Sequence, residues 1–161
     1  MARQLPSTPP ASFQISAIPP RTLQAIRMNG VDEYANPLNT VTQKDAPLRC
    51  CLRDATDGEP IAVIAYCPFP WSSPYAEVGP VFIHAEPCAG YDARALYPEG
   101  FRRRRQIFRA YGYDRKIVHA QIIDGIDADP AIADLFRRAD VDFVHSRNVE
   151  WGCFMFEIRR V

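Results

Sequence analysis

Short apolar segments separated by turn residues fill most of the chain after residue 46, and they constrain the fold more than any other feature. The segments "EPIAVIAYCPF", "RRQIFRAYG" and "KIVHAQIID" have the length and the β-branched and aromatic content of strands. Between "LRCCLR" and the first of them, Asp57 and Gly58 form a typical hairpin signal. The pattern predicts strands that pair mainly in antiparallel fashion.

Only two stretches have a helical pattern. The first, "PPRTLQAIRMNG", begins with prolines and ends at Gly30. The second, "DADPAIADLFRRAD", has Asp129 as its predicted cap and Pro130 at the first helical position. Because helices do not alternate with the strands, we predict an α+β fold whose mainly antiparallel sheet has about seven strands, with two short helices.

A chain of 161 residues has the size of one compact domain. We assign 13–161 to a single α+β domain. Residues 1–12 contain prolines among small polar residues, so they are predicted to form a flexible tail.

The charge balance argues against nucleic acid as a partner, since the 19 basic side chains are matched by 19 acidic ones. No apolar run approaches the roughly 20 residues that a membrane span needs. The amino terminus lacks the apolar core of a secretory signal, so we predict a cytoplasmic protein without a membrane partner. In that compartment the five cysteines are expected to be reduced.

The run Arg102–Arg105 is the most conspicuous charge cluster. We interpret it as a solvated strand edge, where charges discourage pairing with another sheet. The alternative is a non-catalytic interaction module that docks a protein partner through this edge.

The adjacent cysteines Cys50 and Cys51 lie in the predicted strand "LRCCLR". Neighbouring strand residues point to opposite faces, which would keep the two sulfurs apart. We therefore expect one cysteine to be packed in the core and the other to be free.

The familiar phosphate-binding, hydrolase and metal-binding motifs do not occur, so any chemistry must combine residues that are distant in sequence. Two histidine–cysteine pairs stand at strand ends beside loops: His84 with Cys88, and His145 with Cys153. Together they would provide the four ligands of a zinc site. Neither spacing is a standard zinc signature, so no cofactor is predicted, and zinc with these ligands remains an alternative.

An enzymatic alternative uses Cys153 as a nucleophile with His145 or His84 as its base. Hairpin register decides whether the first pair can meet. If Arg147 pairs with Cys153, the cysteine and His145 share a face of the sheet. If Arg147 pairs with Phe154, the cysteine lies on the opposite face. The sequence leaves both registers open, and it does not decide whether the protein is an enzyme.

Several phrases resemble, in order, the bacterial domain-of-unknown-function family 1203. They are "RCCLRDATDGEP", "SPYAEVGPVFIHAEPC", "FRAYGYD", "IIDG" and "HSRNVEWGCFMFEI", and the resemblance spans about residues 47–161. It implies a single-domain bacterial cytoplasmic protein, and it supplies no activity.

Within these phrases, four polar residues are candidates for binding a ligand: Arg49, Asp54, Tyr75 and Asn148. Loops on a rigid sheet are where sites usually form. Our leading hypothesis is therefore a small molecule bound in a loop-lined pocket at the sheet edge, with Tyr75, His84, His145, Asn148 and Cys153 in its lining. The alternative is that these side chains brace turns and loops.

Overall fold

The computed structural model describes residues 12–161, which form nine strands and two α-helices. The strands are β1 Phe13–Ser16, β2 Pro47–Leu48, β3 Arg53–Asp54, β4 Ile61–Tyr66, β5 Gly79–His84, β6 Arg105–Tyr111, β7 Ile117–Asp124, β8 Phe143–Asn148 and β9 Phe154–Arg160. The helices are α1 Pro20–Asn29 and α2 Ala128–Arg137. The predicted tail lies outside the described residues, apart from its last position.

The strands form two sheets rather than one. A five-stranded sheet has the order β1-β9-β8-β6-β7, and a four-stranded sheet has the order β3-β2-β5-β4. All pairs are antiparallel except β2 with β5. The predicted α+β class, antiparallel pairing and two helices are confirmed, whereas the single sheet of about seven strands is wrong.

Part of the error lies in "LRCCLR", which is not one strand. Leu52 donates its backbone N–H to the carbonyl of Leu48 (3.0 Å), and the chain turns back on itself. The predicted strand is thereby divided into β2 and β3, which pair with each other.

Each helix covers the apolar face of one sheet. On α1, Leu23 and Ile26 are buried against the four-stranded sheet, and Gly30 ends the helix with a φ of 68°. On α2, Phe136 packs with Phe108 of the five-stranded sheet. The second helix begins at Ala128, so the predicted cap Asp129 lies inside its first turn. Strand β9 contributes to both cores, which joins the two sheets.

The run Arg102–Arg105 does not form a strand edge, and that prediction is wrong. Only Arg105 belongs to β6, and β6 lies between β8 and β7. Three of the four guanidinium groups form ion pairs within the chain: Arg102 with Asp129 (2.7 Å), Arg104 with Asp54 (2.6 Å) and Arg105 with Asp124 (3.5 Å). The alternative of a protein-interaction module required these arginines to be free for a partner, whereas three of them are already paired within the chain.

Neither helix within residues 12–161 has the length and apolar character needed to cross a membrane. The cytoplasmic location stays a prediction. All five cysteines are free thiols.

Candidate functional site

Three cysteines and a histidine meet at one end of the four-stranded sheet. The side-chain donor atoms of Cys50, Cys51, His84 and Cys88 all lie within 4.8 Å of one another. Nδ1 of His84 is 3.2 Å from Sγ of Cys50 and 3.6 Å from Sγ of Cys51. The two sulfurs are 3.9 Å apart. We refer to these four residues as the Cys3His cluster.

The pairing of the short strands assembles this cluster. Cys50 and Cys51 lie in the turn between β2 and β3, and β2 runs parallel to β5. The end of β5, His84, therefore lies beside the turn, and the chain that follows β5 supplies Cys88. The turn needs Leu52 in the left-handed region (φ 56°), which is costly for a leucine. Such strain is typical of functional sites.

The buried sulfur of Cys50 accepts a hydrogen bond from the backbone. The donor is the N–H of His84, at 3.2 Å from Sγ of Cys50. Hydrogen bonds to a charged form stabilise that form. This hydrogen bond favours the thiolate of Cys50, the state in which cysteine binds metals.

The thiols also influence one another. The hydrogen bond between the two turn cysteines lowers the pKa of Cys51. The same bond, together with burial, raises the pKa of Cys50. Burial raises the pKa of Cys88. Cys51 is thus the thiol of the cluster that loses its proton most readily, and thiolates at Cys50 and Cys88 would need a cation to balance them.

A carboxylate fixes the orientation of the imidazole. Nε2 of His84 lies 2.6 Å from Oε1 of Glu59, whose pKa is held low by the hydrogen bond from Arg53. Nε2 also lies 3.0 Å from Nη2 of Arg53, but the shorter contact to a carboxylate, which can only accept, assigns the proton to Nε2 and leaves the lone pair of Nδ1 for the sulfurs. A carboxylate behind the imidazole is the usual arrangement for a histidine that binds a metal.

The spacing of the donor atoms suits a tetrahedral ion. Bonds of about 2.3 Å to sulfur and 2.0–2.1 Å to nitrogen place neighbouring ligand atoms about 3.5–3.8 Å apart. The measured separations of 3.2, 3.6 and 3.9 Å bracket that range. Movements of about 1 Å or less would complete the geometry with Cys88, whose sulfur lies within 4.8 Å of the others.

Comparison with known proteins assigns the family. The model of a family described as protein of unknown function (DUF1203) matches residues 45–160. The chain is a DUF1203 protein. No curated protein and no solved structure matches it. All four members of the Cys3His cluster fall within the matched region.

The cluster of this DUF1203 chain contains half of the predicted metal set. His84 and Cys88 belong to it, whereas His145 and Cys153 lie elsewhere. Cys50 and Cys51 were missed because a strand would direct their side chains to opposite faces. Since the turn depends on Leu52 in a left-handed conformation, the sequence contains no local signal for it.

His145 is a core residue of the DUF1203 fold. Its fully buried ring contacts the rings of Phe69, Tyr111, Phe143 and Phe154, with centroids 4.9–5.1 Å away. Burial lowers its pKa, and Nε2 lies 3.2 Å from Oε2 of Glu157. The imidazole therefore packs as a neutral group.

The predicted pair of Cys153 with His145 does not form. Arg147 pairs with Phe154, and a bulge then places His145 opposite Glu157. The Cys153 thiol lies instead 3.6 Å from the carbonyl of Trp151. The alternative base, His84, contacts the turn cysteines rather than Cys153.

The predicted ligand-binding residues are dispersed. Arg49, Asn148 and Cys153 line one cavity of about 350 Å³. Asp54 does not line this cavity. It forms an ion pair with Arg104, which is a lining residue. Tyr75 packs in a separate aromatic cluster around Phe69. Small-molecule binding by these four residues as one set stays a prediction.

Proposed function

We propose that this DUF1203 protein binds one zinc ion through the Cys3His cluster and that the ion stabilises one end of the four-stranded sheet. The observation that carries the proposal is the convergence of four donor atoms within 4.8 Å. The contact of Nε2 of His84 with the Glu59 carboxylate (2.6 Å) supports it independently.

The donor set favours zinc over other common metals. Three thiolates and one imidazole form a soft, nitrogen- and sulfur-rich set, whereas Mg²⁺ and Ca²⁺ prefer oxygen ligands. Cys3His is an established combination for tetrahedral structural zinc. The carboxylate of Glu59, at 2.6 Å from His84, would increase the basicity of the imidazole as a ligand.

A structural role follows from the number of ligands. Four protein ligands fill a tetrahedral coordination sphere and leave no position for a substrate. The ion would connect the turn between β2 and β3 to the chain after β5. Since β2 and β3 contain only two residues each, their own pairing contributes little to holding this region.

Elemental analysis of protein purified without chelator tests the proposal. We expect about one zinc per chain, since one set of four ligands is present. After dialysis against a competing chelator, Cys51→Ser and Cys88→Ser are expected to retain less than about a tenth of the wild-type zinc, because loss of one thiolate weakens a four-ligand site severely.

The matched controls are Cys67→Ser and Cys153→Ser, because both cysteines are partly buried and lie outside the cluster. Both variants are expected to retain wild-type zinc. A wild-type protein without zinc would contradict the proposal. Equal zinc in all four variants would place the metal elsewhere.

One observation favours a second function, thiol nucleophile chemistry. The imidazole of His84 contacts a cysteine sulfur through Nδ1 and Glu59 through Nε2, which is the cysteine–histidine–carboxylate arrangement of a nucleophilic site. Cys51 is the turn cysteine with the more accessible side chain.

The two functions differ in what the purified protein should contain. Nucleophile chemistry requires metal-free protein in which iodoacetamide alkylates Cys51 faster than Cys67, with the difference abolished in His84→Gln. Stoichiometric zinc that protects Cys51 from alkylation would exclude it.

A further inference from the structure

A cavity of about 350 Å³ lies beside the loop between β8 and β9, and no member of the Cys3His cluster lines it. Val63 of β4 and Phe82 of β5 are cross-strand partners and form part of its wall. Trp151 of the loop also lines the cavity. We call it the Arg49 cavity, after the one buried charged side chain among its lining residues.

Arg49 is a buried cation without an acidic partner. Its side chain is 3% exposed, and no carboxylate of the described residues lies within the 4.0 Å of an ion pair. Nε donates to the carbonyl of Phe154 (2.7 Å), and Nη1 donates to the carbonyl of Pro47. A guanidinium has five N–H donors, so three remain available. Burying such a charge without a counter-charge is unfavourable.

The other charges of the cavity do not cancel this one. Arg104 also lines it, and its guanidinium already donates to Asp54 (2.6 Å) and to the backbone carbonyl of Asp45. The Asp45 side chain is the one carboxylate among the lining residues, against two arginines. Because Asp54 neutralises Arg104 and Asp45 is exposed, the buried side of the cavity carries the uncompensated charge of Arg49.

Trp151 offers a flat apolar surface to the cavity. It is 78% exposed, although large aromatic side chains usually bury most of their surface. Its loop is ordered by Asn148, whose Oδ1 accepts the backbone N–H groups of Glu150 (2.9 Å) and Trp151 (3.0 Å). The indole also lines an adjoining cavity of about 230 Å³. An exposed aromatic ring on a braced loop is suited to stack on a ligand.

We infer that the Arg49 cavity binds an organic anion, a carboxylate or phosphate ester that carries a flat apolar group. The anion accepts hydrogen bonds from the free N–H groups of Arg49. The apolar group lies between Trp151 and the wall formed by Val63 and Phe82. Planar guanidinium groups are well suited to carboxylate and phosphate. The inference goes beyond the proposed zinc site and uses none of its ligands.

Calorimetric titration with a small probe panel tests the inference. The probes are benzoate, phenyl phosphate, inorganic phosphate and neutral benzamide. We expect benzoate or phenyl phosphate to bind, and the stronger of the two identifies the anionic group. Inorganic phosphate and benzamide are each expected to bind at least about tenfold more weakly, since each lacks one of the two interactions. In NMR spectra, the indole N–H resonance of Trp151 should shift on binding. Its absence from the spectrum of Trp151→Phe assigns it.

Two variants examine the two sides of the cavity. Arg49→Gln is expected to weaken binding of the preferred probe at least about tenfold, because a charge-assisted hydrogen bond is lost. Val63→Glu introduces a negative charge at a 43% exposed position, so it repels the anion while leaving the core intact. If Arg49→Gln does not fold, Val63→Glu still tests whether the anion binds in this cavity. Ile122→Glu is the matched control, at an exposed strand position outside the cavity.

Three outcomes would overturn the inference. The first is no binding of either aromatic anion at about 10 mM. The second is benzamide binding as tightly as benzoate. The third is equal affinity in Val63→Glu and Ile122→Glu.

Discussion

Replacing Cys88 by serine is expected to lower the melting temperature by about 10 °C. A ligand that binds only the folded state, at a free concentration 1,000 times its dissociation constant, stabilises it by about 4 kcal/mol. For domains of about 150–250 residues, each 1 kcal/mol corresponds to roughly 2–4 °C. Serine is nearly isosteric with cysteine, and Cys88 is only partly buried, so lost packing contributes little. Circular dichroism or scanning calorimetry measures the shift.

The effect of a chelator separates loss of metal from loss of packing. Adding the chelator to wild-type protein should lower its melting temperature to that of Cys88→Ser and leave the variant unchanged. Cys153→Ser, the control at a partly buried thiol outside the cluster, should melt within about 2 °C of wild type. A small, equal shift in both serine variants would show that zinc does not stabilise the fold.

Gly125→Ala is expected to destabilise the protein by about 3 kcal/mol, at the upper end of the usual range for overpacking. A Cβ at this position would lie 2.4 Å from the carbonyl oxygen of Phe101 and 2.7 Å from that of Arg104. Both are backbone atoms, and Gly125 itself donates its N–H to Arg104 (2.8 Å), so the clash cannot be relieved by rotating a side chain. Urea denaturation monitored by fluorescence gives the free energy of unfolding.

Gly79→Ala is the matched control, because a Cβ there meets nothing within 4 Å and the backbone needs no positive φ. It should change the free energy of unfolding by less than about 1 kcal/mol. Equal destabilisation in both alanine variants would mean that the close packing around Gly125 is absent in solution.

Local patterns predicted most of the elements but not how the strands divide into sheets. Both helices were found because their prolines and apolar spacing are local signals. The division into two sheets was not predicted, since it depends on the turn at Leu52 and on the long-range pairing of β2 with β5. The run Arg102–Arg105 was misplaced because its first three residues precede β6, and the internal position of β6 follows from its long-range pairing with β8.

The same limit applies to the candidate site. His84 and Cys88 could be named from the sequence because each stands at a strand end or in the loop that follows. The contribution of Cys50 and Cys51 depends on a leucine in a conformation that leucine rarely adopts. The position of Cys153 depended on hairpin register, which a single bulge near Arg147 determines. Neither feature has a reliable local signature.

X-ray absorption at the zinc edge of the wild-type protein is the most direct test of the zinc proposal. The Cys3His cluster predicts three sulfur ligands at about 2.3 Å and one nitrogen ligand at about 2.0–2.1 Å. A coordination shell dominated by oxygen or nitrogen, or one with two or fewer sulfurs, would contradict the assignment of Cys50, Cys51 and Cys88 as joint ligands.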